Sequence, residues 1–267
     1  MSSINTNINS LNAQRNLAGT ANSLATSMSR LSSGLRVNGA KDDAAGLAIA
    51  ERMNAQTRGM NVAIRNANDA ISLAATAEGA LGAISNNLQR MRELAVQAAN
   101  GTNSSSDITA LGQEFTALAN ENTRVVAATK FNSKDVLGGA TFDFQVGANA
   151  VAANDTITVT GTAVSFTATV FTDAASAGSA ITALDIDIDS VTTERATWGA
   201  AQNRFDTVIS NLRVGAENSA AARGRIMDAD YAMETANLSR SQVLQQAGTA
   251  MVAQANQAPQ GVLALLR

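Results

Sequence analysis

Between Met60 and Ala98 one helical stripe is apolar at every step. Met60, Ala63, Ala67, Ala70, Ala74, Ala77, Leu81, Ile84, Leu88, Met91, Ala95 and Ala98 follow alternating steps of three and four without a polar miss. A strand would repeat every second residue; this spacing returns to a single face of a helix. A stripe so long and narrow predicts a very long helix packed along a coiled-coil seam. Alanine at most of its positions lets a partner backbone come close. Asp42 and Asp43 precede the helix, where acids complement its dipole. Sequence neighbours do not face each other on a helix, so the two are expected to cap it rather than to work as a catalytic carboxylate pair.

Similar stripes bracket this one. Leu17, Ala21, Leu24, Met28, Leu31 and Leu35 predict an N-terminal helix, extended upstream by Ile4, Ile8 and Leu11 and stopped by Gly34 and Gly39. Leu244, Gly248, Met251, Ala255, Ala258, Val262 and Leu265 predict a C-terminal one, in which Pro259 removes one helical hydrogen bond. A third helix carries Ile108, Leu111, Phe115, Leu118 and Val125 after the polar loop "NGTNSSSD". A fourth, starting after Ser179, carries Leu184, Ile188, Val191, Trp198, Phe205, Ile209 and Leu212, and a loop around "RVGAENSAAARG" should end it. Period-two runs at Phe142–Val146 and around Ile157 and Val159 predict a hairpin with a long turn. Val164, Phe166, Ala168 and Val170 predict a further strand.

The expected fold is therefore mainly α: a long antiparallel coiled-coil helix bundle with a small β-hairpin region, and with the N- and C-terminal helices paired. The expected organisation is a terminal helical coiled-coil domain from 1–42 and 225–267, a long-helix bundle domain from 43–140 and 179–224, and a hairpin or short-strand insertion at 141–178.

Composition narrows the chemistry. The 267 residues include no Cys and no His, one Pro, and only 3% aromatics in a 45% hydrophobic total. Thiolate nucleophiles, His general bases and His or Cys metal ligands are excluded. "DIDID" at 185–189 resembles the start of a calcium loop, but Ser190 stands where Gly is required and Ala196 where Glu is required. Its acids are expected on the wet side of a helix. No catalytic, cofactor or metal site is expected.

Charge sets the chain ends apart. No acid occurs before Asp42 or after Glu234, while Arg15, Arg30, Arg36, Lys41, Arg240 and Arg267 lie in those ends of a chain whose net charge is −3. That is too sparse for a nucleic-acid-binding tail. The Gln-rich last segment carries too many amides for lipid, so no membrane insertion is expected. "MSSINTNINSLNAQR" lacks the basic start and apolar run of a secretory signal. Two ends that are low in charge, apolar along one stripe and thin in large side chains cannot offset the cost of ordering their backbone, ~1–2 kcal/mol per residue. They are expected to pair with each other and to be covered further by other copies of the chain.

The residues of these ends resemble bacterial flagellin. "INTNINSLNAQRNL", "SMSRLSSGLRVNGAKDDAAGLAIAERM", "LQRMRELAVQAANGTNS", "FQVGAN", "AAQNRF" and "SRSQVLQQAGTAMVAQANQAPQGVLALLR" follow that family's pattern in order and position. The resemblance implies a non-enzymatic, secreted, extracellular subunit of the flagellar filament, polymerising with its own copies for swimming motility. It also implies unfolded type III export, with an export chaperone, cap and hook-associated proteins as partners. The assembly seam is then expected at Leu17, Leu24, Leu31, Leu244, Met251, Val262 and Leu265. "RMRELAVQ" is similar to the flagellin segment read by a Toll-like receptor of animals, which makes Arg90, Leu94, Gln97 and Glu114 the candidate receptor contacts, with Leu94 expected to be exposed. The plainer reading of the same stripe is contact between subunits, with Arg90–Glu93 an ordinary helix pair. Two alternatives stand beside the filament subunit. One is a hook–filament junction protein. The other is an extracellular glycan-binding or hydrolytic protein on a flagellin frame, for which 141–178 offers Phe142, Phe144, Phe166 and Phe171 but no Trp or Tyr.

Overall fold

A computed structural model describes residues 6–264, the side chains of 152 and 258–264 excepted. In chain order the elements are α1 (Ile8–Ser33), α2 (Ala44–Ala98), α3 (Ser105–Ala128), β1 (Lys130–Phe131), β2 (Lys134–Asp135), β3 (Thr141–Gln145), α4 (Ala152–Asp155), β4 (Thr156–Thr160), α5 (Ala174–Met227) and α6 (Tyr231–Ala264). They fall into two compact units, residues 56–217 and residues 1–55 with 218–267.

The unit 56–217 holds the main core. All twelve residues of the Met60–Ala98 stripe are buried, and Leu81, Ile84 and Leu88 are wholly so. Each of these larger side chains contributes roughly 1.5–3 kcal/mol on burial. α5 lies antiparallel to α2, tied by Arg92–Asp185 at 2.7 Å and Arg195–Glu78 at 2.6 Å. α3 folds back on α2, with the Asn87 side-chain amide donating to Asn122 Oδ1 at 2.8 Å. Asn122 is fully buried, where a satisfied amide fixes register. Ser104 and Asp107 form a reciprocal capping box at the start of α3.

β3 and β4 pair antiparallel, Phe142 opposite Val159 and Phe144 opposite Ile157, as the hairpin pattern predicts. The turn between them includes the short α4. A second hairpin, β1–β2, sits inside what reads as plain turn sequence. Its turn residues Asn132 (φ 48°) and Ser133 (φ 64°) adopt the left-handed pair of a two-residue hairpin.

Three expectations are corrected. The run 164–170 forms no strand. It lies extended along α5, and carboxylates take the place of a ladder. Asp187 accepts the N–H groups of Thr167 at 2.9 Å and Ala168 at 3.1 Å, with the Thr167 hydroxyl at 2.8 Å. Glu194 accepts the N–H of Thr162 at 2.9 Å and the indole N–H of Trp198 at 2.9 Å. Next, α5 begins at Ala174, ahead of Ser179, because Asp173 caps it by accepting the N–H of Ser176 at 2.7 Å. Finally, no loop interrupts 213–224. Gly215 and Gly224 remain helical, at about 1 kcal/mol each relative to Ala. A β-carbon on Gly215 would lie 3.2 Å from Met60 Sδ, and one on Gly224 would lie 2.9 Å from Asp228 Oδ2. The chain breaks at 228–230 instead, where Asp230 caps α6 through the N–H of Ala232 at 2.9 Å.

In the other unit, α1 ends on Gly34 at φ 70°. The following residues pair with the end of α5: the N–H of Arg36 donates to Met227 C=O at 2.6 Å, and that of Ala229 to Gly34 C=O at 2.9 Å. Val37, Ala50 and Met227 form a small core there. Asp43 Oδ1 accepts the N–H of Gly46 at 2.8 Å and caps α2 as expected, whereas Asp42 Oδ2 accepts the N–H of Asn38 at 3.0 Å and closes the turn before the helix instead.

Candidate assembly surface

α1 and α6 run antiparallel. The Asn7 amide donates to Ala255 C=O at 2.7 Å, the Ser10 hydroxyl to Asn256 Oδ1 at 2.8 Å, and Arg30 meets Glu234 at 3.8 Å. Leu17 packs at Gly248, where an added β-carbon would come within 3.1 Å of it. The contact on α1 runs through Ser10, Leu17, Thr20, Leu24, Ser27 and Leu31, with the serines buried and the others half-buried. On α6 it runs through Glu234, Leu238, Ser241, Gln245, Gly248 and Val252.

Leu17, Leu24 and Leu31 thus lie in the intrachain seam. Leu244 and Met251 do not: they are 51% and 64% exposed. Leu265 and the side chain of Val262 lie outside the described residues. α6 is turned about one residue from its predicted stripe, while α1 keeps Leu17, Leu24 and Leu31 in the seam and departs from its stripe at Thr20 and Ser27. Ser27 is buried where Met28 was expected, and Ser241 and Gln245 face inward in place of Leu244. Small hydroxyls inside permit close approach and can be satisfied by hydrogen bonds.

The consequence is an outer face with large apolar side chains. Ile8, Leu11 and Met28 on α1, and Tyr231, Met233, Val243, Leu244 and Met251 on α6, are each more than half exposed. Ala18, Ala21 and Ala25 on α1, and Ala247 and Ala250 on α6, are exposed as well. A soluble monomer rarely exposes contiguous apolar surface of this kind without a partner for it.

The receptor candidates lie in the unit 56–217. Arg90 Nε donates to Glu114 Oε1 at 3.0 Å and Arg90 Nη1 to Glu93 Oε2 at 3.0 Å, joining α2 to α3. Hydrogen bonds to Glu93 and then Glu114 hold the guanidinium above its ordinary value. Gln97 is exposed beside them. Leu94 is not: at 1% exposure it belongs to the core, against the expectation of an exposed Leu. Seven residues cover about two turns, so Arg90 and Gln97 flank a position that faces the core.

Two residues that matter were missed. Asp187 and Glu194, each 2% exposed, occupy core positions of α5 seven apart. "DIDID" was expected to keep its acids in water; Asp185 and Asp189 are exposed but Asp187 is not. The available signal was the polar gap in the stripe at 187 and 194, between Leu184, Val191 and Trp198. No group of three or more carboxylates among the described residues is arranged to hold a metal ion. Phe142 and Phe171 are buried and Phe144 and Phe166 pack against the same core, so these rings form no open platform for a sugar. No helix among the described residues is long and apolar enough to cross a membrane.

Comparison with known proteins agrees with this architecture. Residues 4–141 match the family described as the bacterial flagellin N-terminal helical region, and 181–266 the bacterial flagellin C-terminal helical region. The chain is 46% identical to a flagellin of Halalkalibacterium halodurans over 270 residues, covering 99% of both. It is 42% identical to a flagellin of Xenorhabdus nematophila over 312 residues, again covering 99% of both. The crystal structure of Bacillus cereus flagellin superposes with a TM-score of 0.50 at 38% identity, covering 60% of this chain and 94% of that one. From both matched regions and from identity along its whole length, the chain belongs to the flagellin family, whose members are structural filament proteins rather than enzymes.

Proposed function

We propose that this chain polymerises with its own copies into the bacterial flagellar filament, outside the cell, and serves swimming motility. The observation that carries the reading is the outer face of α1 and α6, where eight large apolar side chains stand more than half exposed on helices nearly free of charge. Close packing of neighbouring copies would cover them, each contact small but repeated along a lattice. Passage through the type III export channel, with an export chaperone, cap and hook-associated proteins as partners, follows from the same reading. A chain with one Pro and no Cys suits unfolded export, since slow prolyl isomerisation is nearly absent and stray disulfides are impossible. The junction-protein and glycan-binding alternatives have no observation in their favour.

Electron microscopy of the purified chain at rising concentration tests it. The full chain should form ordered fibres, and a version ending before Tyr231 should not. Fibres from the truncated version, or none from the full chain at any concentration, would sink the reading.

A second reading concerns the free subunit. Arg90, Gln97 and Glu114 remain exposed together, which supports recognition of the monomer by the flagellin-sensing Toll-like receptor. Arg90 is a suitable anchor, while Leu94 can act only from within the core. Arg90→Asp should lower receptor affinity at least about tenfold, consistent with loss of a charged contact. Undiminished binding by a folded variant would remove the claim.

A further inference from the structure

We propose that Met28, Met233 and Met251 are sites of two-electron oxidation in the free subunit, and that their conversion to sulfoxides blocks polymerisation. The inference rests on the filament reading above and adds a chemical control to it.

The chain offers a peroxide few other targets. It has no Cys. Its one Trp, Trp198, is 0% exposed. Eight Met remain; Met1 lies outside the described residues, and the fold sorts the other seven sharply. Met60, Met91 and Met227 are 8%, 1% and 6% exposed and Met53 is half-buried, whereas Met28, Met233 and Met251 are 58%, 63% and 64% exposed. All three exposed thioethers stand outside the intrachain seam of the α1–α6 pair. The helices are antiparallel, so Met28 and Met233 lie toward one end of the pair and Met251 toward the other. The oxidisable atoms therefore coincide with the surface that copies would bury.

The reaction needs a peroxide as oxygen donor. A sulfur lone pair attacks one peroxide oxygen, an S–O bond forms and the O–O bond breaks. Sulfur is oxidised by two electrons, the second oxygen leaves as hydroxide, and the proton of the transferred oxygen converts it to water. The product replaces a flexible apolar side chain by a strongly polar one. Its S=O dipole would have to be desolvated in a packed lattice contact with no donor provided. Once copies are stacked the same thioethers are covered, so the subunit is sensitive and the filament is protected.

The test treats the intact monomer with hydrogen peroxide, maps added oxygen by peptide mass spectrometry, and measures polymer by sedimentation beside an untreated sample. Met28, Met233 and Met251 should oxidise before Met60, Met91 and Met227. The concentration needed for polymer should rise at least about tenfold, as loss of one buried methionine contact implies. Methionine sulfoxide reductases should restore assembly, which shows that the fold survived. Preformed filaments should resist oxidation at the three positions. A variant carrying Met28→Leu, Met233→Leu and Met251→Leu should polymerise despite peroxide. Oxidised chain that sediments like untreated chain, prior oxidation of the buried methionines, or a leucine variant that still loses assembly on oxidation would each overturn the proposal. Failure of the untreated chain to polymerise would instead overturn the filament reading, and this inference with it.

Discussion

Asp187 and Glu194 sit where an apolar stripe should continue, and each replaces hydrophobic contact by a set of hydrogen bonds. A buried carboxylate is costly unless its oxygens are satisfied. Here Asp187 accepts two backbone N–H groups and a hydroxyl, and Glu194 accepts one backbone N–H and an indole N–H. The segment 161–171 has no strand partner in the fold, so these acceptors serve backbone donors that would otherwise be buried and unpaired. Gly161 fits the same site closely, since a β-carbon there would lie 3.0 Å from Glu194 Oε1. Asp187→Asn keeps one acceptor oxygen but turns an amide N–H₂ toward donors. It should cost about 1–3 kcal/mol, read by denaturant unfolding, and should speed amide exchange at Thr167 and Ala168 above all. Unchanged exchange there would show that the carboxylate does not hold the segment.

The helices depend on local acids at their starts as well as on the core. Hydrogen bonds from the Ser104 side chain and backbone hold the Asp107 carboxyl below its ordinary value, and those from Ser176 do the same for Asp173. On α3, the Arg124 guanidinium lowers Glu121 in the same way. A carboxyl that titrates lower in the folded state than in the unfolded chain contributes stability above the ordinary carboxylate range. That contribution is lost as pH falls through the folded value. The starts of α3 and α5 should therefore loosen as pH drops from about 5 to about 3, through and below the usual carboxylate values. Intrinsic-rate-corrected amide exchange over Ser105–Ile108 and Ala174–Ala177 checks this, and protection that does not change over that interval would contradict it. The Met60–Ala98 seam, which contains no ionisable group, should not respond.

For the whole molecule, the two units divide large apolar side chains unequally. The unit 56–217 encloses Trp198, Phe115, Phe171 and Phe205 with the large residues of α2. The terminal pair wholly buries only small or polar residues such as Ser10, Ser27 and Ser241 in its seam, keeps its seam leucines half-buried and leaves other large apolar residues outside. A substitution on the outer face should thus separate folding from assembly. Leu244→Asp places a charge at a 51% exposed position and should leave helical circular dichroism and monomer unfolding within about 0.5 kcal/mol of the parent. It should abolish sedimentable polymer. If polymer persisted, the outer face would not be the interface.

Periodicity was enough to place α2, the β3–β4 hairpin and all twelve buried residues of the α2 stripe, because a seam without a polar miss can face only one way, but it misplaced both ends of α5. The cap at Asp43 and the stop at Gly34 were legible because each is set by local sequence. What required the tertiary structure was rotation and burial between elements. Which face of α1 meets α6 depends on how closely two backbones can approach, and that favoured Ser27 and Ser241 over Met28 and Leu244. Leu94 went into the core, and Asp187 and Glu194 went inward because donors from a distant segment came to meet them. Such partners lie 20 to 32 residues away, beyond any spacing that a single helix pattern can express.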